Sequence, residues 1–266
     1  MLQNCEPVHP ESLCIVMPAY NEERNIRKVV EDWYRVVANH NHDGSSRLVV
    51  VNDGSTDGTQ RVLHALTYTH PLLQVIDKPN GGHGSAVIRG YQEAVRIGAD
   101  YVFQTDSDGQ TMPSNFDKFW RRRHQYDAQF GWRKHRGDGI GRALTEHVLC
   151  TLLWLFFGVS VPDANAPFRL MKSWHLKQYL ERLPKQYALP NVILTTWFVH
   201  DHWRVRFVPI IFRPRQHGVN TMNVQKLFRI GWQSLKDFAV FRKDMKRRDR
   251  AAGGTEEHHS APARKT

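Results

Sequence analysis

Short apolar runs alternate with helical segments through the first 110 residues of the chain. The runs 13–17, 47–51, 72–76 and 101–105 are apolar and rich in β-branched residues, and the segment 25–37 between the first two has apolar side chains at helical spacing. Strands of this buried type that alternate with helices form a mainly parallel sheet with helices on both faces. The sequence therefore predicts an α/β fold.

Acidic residues follow the predicted strands. Asp53 ends the second strand, and Asp106, Asp108 and Gln110 come directly after the fourth. Ligands of open α/β sheets bind at the carboxyl edge, where these side chains lie. In extended geometry residues two apart face the same way, and hard oxygen donors suit Mg²⁺ or Mn²⁺, which take their remaining ligands from water or a substrate diphosphate. The pattern predicts a metal site.

The first strand leads into Pro-Ala-Tyr-Asn-Glu-Glu at 18–23, without the G-x-G-x-x-G of dinucleotide-binding folds. The glycine-rich segment, 80–85, instead follows the third strand. Two explanations of this glycine-rich segment remain as alternatives: it packs tightly onto the start of a helix, or it contacts a ligand directly.

Length and composition predict a single domain over residues 1–250 and a disordered tail over 251–266. Three cysteines without metal-ligand spacing fit a reducing compartment. The longest apolar run, 148–157, has ten residues, too few for a helix that crosses a bilayer, and the amino terminus lacks a signal-peptide pattern. We expect a cytoplasmic protein without spanning helices.

The formal net charge is +11, and most of it lies in two segments. Residues 121–142 carry seven Lys or Arg against two Asp, and residues 236–250 carry seven against three. Nucleic acid, an anionic membrane surface and a polyanionic substrate would each attract such segments. The aromatic residues of the apolar helix 144–157 add a possible peripheral membrane contact, with plain core packing as the alternative.

Four segments together resemble the family 2 glycosyltransferases, which have the GT-A nucleotide-diphospho-sugar transferase fold. They are Val-Met-Pro-Ala-Tyr-Asn-Glu-Glu at 16–23, Val-Val-Asn-Asp-Gly-Ser-Thr-Asp-Gly-Thr at 50–59, Lys-Pro-Asn-Gly-Gly-His-Gly at 78–84 and Thr-Asp-Ser-Asp-Gly-Gln at 105–110. The resemblance covers about 12–240, and within the family it is greatest to the dolichyl- and polyprenyl-phosphate sugar synthases. It implies a nucleotide-sugar half over 12–110 and an acceptor half over 111–240.

The resemblance also implies roles for individual residues. Asp106, Asp108 and Gln110 reproduce the D-x-D-x-Q metal motif of the synthases. The nucleotide-sugar site is implied to contain Pro18, Tyr20, Glu22, Asp53, Asp106 and Ser107. Relatives often have an acidic residue where this chain has Asn52.

On the acceptor side, the resemblance implies that Arg133, Arg142 and Arg215 hold the acceptor phosphate, because the planar guanidinium pairs two phosphate oxygens at once. Arg133, Arg215 and Asp163 are the implied catalytic residues. Asp163 belongs to a D-x-x-x-x-F-R-L segment. It is a base if the acceptor is a hydroxyl and an orienting residue if the acceptor is already an oxyanion; a third alternative is that it anchors Arg169.

The resemblance implies a metal-dependent, inverting glycosyltransferase whose donor is a UDP- or GDP-sugar and whose acceptor is a polyprenyl phosphate at the cytoplasmic face of a membrane. A hydroxyl of a polysaccharide, protein or modified nucleic acid is the alternative acceptor. A non-catalytic nucleotide-sugar or nucleic-acid binding module is a further alternative, which the intact Asp106, Asp108 and Gln110 oppose. The sequence contains none of the helix-turn-helix, zinc or aromatic-basic signatures that indicate nucleic-acid binding.

Overall fold

The computed structural model describes residues 10–133, 140–184, 186–213 and 224–256, without the side chains of 140–145, 224–230 and 251–256. The strands are β1 (Leu13–Ala19), β2 (Arg47–Asp53), β3 (Leu73–Lys78), β4 (Tyr101–Gln104), β5 (Ala128–Arg133), β6 (Arg169–Lys172) and β7 (Val205–Ile210). The helices are α1 (Ile26–Asn39), α2 (Thr59–Thr67), α3 (His83–Arg96), α4 (Asp117–Trp120), α5 (Ile140–Phe157), α6 (Ser173–Leu180), α7 (Pro190–His200) and α8 (Val224–Glu256).

The seven strands form one sheet in the order β3-β2-β1-β4-β6-β5-β7. Strand β6 is antiparallel to both of its neighbours, and the other pairs are parallel. The antiparallel strand joins the nucleotide-sugar half, which ends at β4, to β5 and β7 of the acceptor half. The predicted α/β fold with a mainly parallel sheet is confirmed.

Apolar side chains cover both faces of the sheet. On one face α1 buries Ile26, Val29, Val30, Trp33 and Val37, whose helical spacing places them on a single stripe. On the other face α3, α6 and α7 pack together with parts of α5 and α8. All seven residues of β1 are buried, as expected for a strand that lies between two helical layers.

Helix α8 continues through Glu256, six residues beyond the point where the sequence predicts disorder to begin. Ala251 and Ala252 have the highest helix propensity of any residue type, which favours this extension. Residues 257–266 lie outside the described part of the chain. Within the described ranges, no helix combines the length and the apolar character needed to span a membrane.

Candidate active site

The loops after β1 and β2 are joined at the carboxyl edge of the sheet. Asn21 has a left-handed backbone (φ 54°), and its Oδ1 accepts a hydrogen bond of 2.8 Å from the Thr56 amide. The buried Glu22 carboxylate accepts from Asn25 Nδ2 at 2.8 Å, so it braces the start of α1. Pro18 is buried in β1, whereas the Tyr20 ring is exposed. Of these three predicted residues, Tyr20 presents the largest surface to a ligand.

Asp53 holds the glycine-rich loop in place. Its Oδ1 accepts from the Gly81 amide at 2.9 Å and from Lys78 Nζ, and its side chain is almost fully buried. A Cβ atom on Gly84 would lie 2.1 Å from the Tyr187 carbonyl oxygen, so this glycine is required by tight packing. At Gly84, the glycine-rich segment is therefore explained by tight packing. Contact of Asp53 with a base or ribose stays a prediction.

The predicted metal residues lie on a turn that we call the metal loop, residues 105–110. Asp108 Oδ1 accepts from the Gln110 amide at 3.0 Å, and Gly109 between them has a φ of +74°. The turn replaces the extended geometry expected from the sequence, because the Asp108 side chain satisfies a backbone amide that would otherwise belong to a strand. Gln110 is oriented by a 2.9 Å hydrogen bond from its Nε2 to the Arg213 carbonyl oxygen.

Asp106 carries a buried oxygen that fits a cation. Among the described residues no hydrogen-bond partner reaches its Oδ1, and His83 Nε2 lies 3.9 Å from it. A buried carboxylate oxygen without a partner costs free energy, which a bound cation would offset. The described residues contain no group of three His, Cys, Asp or Glu side chains placed to hold a metal.

On the acceptor side, Arg133 and Asp163 form one ion pair. Arg133 Nε and Nη2 donate to Asp163 Oδ2 and Oδ1 at 2.8 and 3.0 Å. The Asp163 side chain is 0% exposed and that of Arg133 is 13% exposed. Glu146 Oε2 lies 3.7 Å from Arg133 Nη2. The predicted base and the predicted phosphate ligand are thus direct partners.

The alternative that Asp163 anchors Arg169 stays a prediction. Arg169 donates its hydrogen bonds to Asn191 O and Thr195 Oγ1, and Asp163 is bound by Arg133, but the charge of Asp163 raises the pKa of Arg169 against the effect of burial. Ser107 is buried within the metal loop. Arg215 and the side chain of Arg142 lie outside the described residues. Lys78, His83 and Glu146 were not predicted as site residues, although Lys78 and His83 lie in the segment 78–84 that contributes to the family resemblance.

Helices α5 and α8 form a second surface, which we call the α5–α8 surface. Phe156 and Phe157 of α5 pack against Phe238 of α8, with ring centroids 6.0 and 5.5 Å apart. Large apolar side chains of both helices remain exposed: Val148, Trp154, Leu155, Trp232 and Val240. Beside them on α8 lie the cations Arg242, Lys243, Lys246, Arg247 and Arg250, which line one groove. Helix α5 thus contributes both to the core and to an exposed apolar patch.

Comparisons with known proteins agree with this geometry. The family model "Glycosyl transferase family 2" matches residues 14–179. The chain is 25% identical over 233 residues to the dodecaprenyl-phosphate galacturonate synthase of Rhizobium johnstonii, covering 85% of this chain and 66% of that protein. It is 31% identical over 117 residues to the UDP-N-acetylglucosamine–dolichyl-phosphate N-acetylglucosaminyltransferase of Methanococcus voltae, covering 39% and 44%. The chain spans less than two-thirds of the length of both relatives.

A solved structure shows the same fold. The glucosyl-3-phosphoglycerate synthase of Mycobacterium tuberculosis, crystallised with Mn²⁺, UDP and phosphoglyceric acid, superposes with a TM-score of 0.62 at 18% identity, over 87% of this chain and 78% of that one. At this identity the likeness concerns the fold.

Proposed function

Because the chain belongs to glycosyl transferase family 2, we propose that it transfers a sugar from a nucleotide-diphosphate sugar to a polyprenyl phosphate. The observation that carries this proposal is the meeting of Asp53, Asp106 and Asp108 at one sheet edge, where a buried oxygen of Asp106 has no hydrogen-bond partner among the described residues. In the reaction the acceptor oxygen forms a bond to the anomeric carbon while the bond to the diphosphate breaks. A single displacement of this kind inverts the anomeric configuration.

Asp106, Asp108 and Gln110 would hold Mg²⁺ or Mn²⁺. The cation, when bound, neutralises the negative charge that the leaving diphosphate develops. The protein contributes a loop of fixed shape, because the Gly109 turn orients Asp108 and the Arg213 carbonyl orients Gln110. His83, whose Nε2 lies 3.9 Å from Asp106 Oδ1, is placed to contact the donor at the same point.

For the donor we favour a UDP-sugar, with a GDP-sugar as the alternative. The archaeal relative is named for UDP-N-acetylglucosamine, and the mycobacterial structure contains UDP. Asp53 and Lys78 are paired with each other at the ends of β2 and β3, and the Lys78 side chain is the more exposed of the two. Lys78 would therefore contact the donor nucleotide, and Asp53 would orient it.

The environment of Asp163 favours a phosphate acceptor over a hydroxyl. A hydroxyl acceptor requires a base that reaches its proton, whereas a phosphate monoester is already an oxyanion. Asp163 is fully buried and bound by two guanidinium nitrogens of Arg133, Nε and Nη2, which suits a residue that orients Arg133 and does not suit a base. Arg133 would then contact the acceptor phosphate together with Arg142 and Arg215.

The α5–α8 surface supports a peripheral contact with the membrane that contains such an acceptor. Exposed Trp154 and Trp232 with neighbouring apolar residues can enter the interface, and the α8 cations attract anionic headgroups. Each Lys or Arg near such a surface contributes about 1 kcal/mol.

The proposed function is tested by incubating the purified protein with a panel of UDP- and GDP-sugars, with and without polyprenyl phosphate, in Mn²⁺, Mg²⁺ or chelator. We expect transfer with one donor, dependence on the cation, and loss of most turnover in Asp108→Ala. Asp117→Ala, which removes an exposed carboxylate seven residues beyond the metal loop, is the matched control and should retain activity. Unchanged transfer in chelator would contradict the metal assignment, and transfer to a sugar or protein hydroxyl alone would replace the acceptor.

A further inference from the structure

A buried arginine lies beneath the metal loop and is not part of the site described so far. Arg169 begins β6 and is the register partner of Gln104, the last residue of β4 and two residues before Asp106. Directly opposite residues in an antiparallel pair project on the same face of the sheet. The Arg169 side chain is 0% exposed, and its guanidinium lies 4.2 Å from the centroid of the Phe130 ring.

The charge of Arg169 is not explained by stability. Its guanidinium donates to two neutral groups, Asn191 O at 2.7 Å and Thr195 Oγ1, and in the described part of the chain no carboxylate lies within 4.0 Å of it. Burial lowers its pKa from 12.5 to about 10, and the charge of Asp163 acts in the opposite direction from beyond ion-pair distance. A buried charge without a direct ion pair is destabilising, and apolar residues of similar volume often replace buried ion pairs without loss of stability. Its presence therefore points to a role in function.

The partners of Arg169 extend to both halves of the candidate active site. The Tyr91 hydroxyl lies 2.5 Å from Gln104 Oε1 and 3.3 Å from Asn191 Oδ1, and so connects α7 to the strand that leads into the metal loop. Thr195 Oγ1 lies 3.0 Å from the carbonyl oxygen of Ala164, the residue after Asp163.

Three polar atoms of this region are buried without a hydrogen-bond partner among the described residues: Arg169 Nε, Gln104 Nε2 and Asp106 Oδ1. Two of them belong to the register partners Gln104 and Arg169, and the third lies two residues after Gln104. Partly satisfied buried polar groups are costly, and they are typical of functional sites. The cluster is thus polar where packing alone would favour apolar side chains.

We propose that Arg169 is a positioning residue that fixes the metal loop relative to the Arg133–Asp163 pair. Through Asn191 and Tyr91 it fixes Gln104 and hence the start of the metal loop, and through Thr195 it fixes Ala164 and hence Asp163. The inference rests on the proposed function, since it takes Asp106 as a metal ligand. Loss of a residue that orients metal ligands from outside the coordination sphere typically lowers metal affinity or activity by about 10–100-fold.

The test compares Arg169→Met with Tyr91→Phe, which removes one hydroxyl, and with the control Arg182→Met. Arg182 is also a mostly buried arginine whose guanidinium lies 4.2 Å from an aromatic ring centroid, that of Trp197, but it pairs with Asp244 of α8. Mn²⁺ binding is measured directly by electron paramagnetic resonance in the presence of UDP, thermal unfolding is followed by circular dichroism, and kcat and KM are measured separately.

We expect Arg169→Met to unfold within a few degrees of the wild type, to bind Mn²⁺ about 10–100-fold more weakly and to lose kcat by a similar factor. Tyr91→Phe should show the same pattern with a smaller effect, and Arg182→Met should lose stability at unchanged Mn²⁺ affinity. If the wild type binds Mn²⁺ and both site variants bind it equally well, this inference is refuted while the proposed function stands. If the wild type itself binds no Mn²⁺ with UDP, the metal assignment fails first.

Discussion

The Arg133–Asp163 ion pair allows a quantitative prediction. Asp163→Ala leaves the guanidinium of Arg133 in a largely buried position without the carboxylate that accepts both of its hydrogen bonds. Removal of one partner from a buried pair costs about 3–5 kcal/mol. Glu146 Oε2 remains 3.7 Å from Arg133 Nη2 and can take up part of the charge, which places the expected loss near the lower limit.

We therefore expect Asp163→Ala to lower the free energy of unfolding by about 3 kcal/mol, and Arg133→Met to lower it by a similar amount because the buried Asp163 carboxylate then loses its guanidinium partner. The double variant should lose far less than the sum of about 6 kcal/mol, since residues in direct contact are coupled by about 0.5–3 kcal/mol. Urea unfolding measures all three values, with a midpoint shift of roughly 1 M for each single variant if the denaturant dependence is about 3 kcal/mol per M.

The same variants separate an orienting Asp163 from a base. If Asp163 acts only by holding Arg133, the double variant should lose no more kcat/KM than the Arg133 variant alone. If Asp163 takes a proton from the acceptor, the two losses should multiply. Additive losses of stability together with multiplied losses of rate would refute the interpretation of these residues as one unit.

Three further predictions concern other parts of the molecule. Hydrogen bonds from Arg96, the largest contribution, and from Gln74 and Arg89 lower the pKa of Glu93 from 4.5 to about 2. The contribution of the ionised Glu93 to stability is therefore complete above pH 4.5 and is lost as the pH falls toward 2. In urea unfolding, Glu93→Gln should be less stable than the wild type at pH 7 and nearly equal to it at pH 2. Gly84→Ala would place a Cβ atom 2.1 Å from a backbone carbonyl oxygen, so it should lower the unfolding temperature strongly. Gly98 has a φ of +75°, and a Cβ atom there would have no neighbour within 4 Å, so Gly98→Ala should lower the free energy of unfolding by only about 1 kcal/mol. In liposome sedimentation the protein should bind anionic vesicles at low salt and dissociate at high salt, and Trp154→Ser should weaken the binding; absence of binding at low salt would make the α8 cations an ordinary solvated face.

The sequence predicted those features that depend on local pattern. The strands and helices from β1 to β4 follow from runs of buried-type residues and helical spacing, and the positions of Asp53, Asp106 and Asp108 at the carboxyl edge follow from the same alternation. The sequence did not show that Trp154 and Leu155 are exposed while Leu153 is buried. Helix α5 is apolar nearly all round, so it has no polar stripe to mark the face that is exposed to solvent.

The contacts that shape the site join distant residues and leave no local pattern. Asp163 and Arg133 are 30 residues apart in sequence, and both were identified only by resemblance, as residues with separate roles. The turn at Gly109 was missed because Asp-x-Gln was interpreted as extended chain, although a glycine after an aspartate favours a turn. Arg169 is one residue of a sequence motif, and only the structure shows that it is fully buried and that, among the described residues, it donates its hydrogen bonds to neutral groups.

The hydrogen bond between Gln110 and Arg213 spans 103 residues, and β4 pairs with β6 across more than 60. Contacts this distant in sequence form slowly, because the chain loses the entropy of a long loop before the contacts stabilise it. We therefore expect the nucleotide-sugar half to gain its parallel strands early in folding, and the metal loop to reach its final shape only after β6 and β7 have been added. Once residues 1–110 have emerged from the ribosome, every predicted metal ligand has been synthesised. The site that these ligands form reaches its final shape only after the second half of the chain has folded.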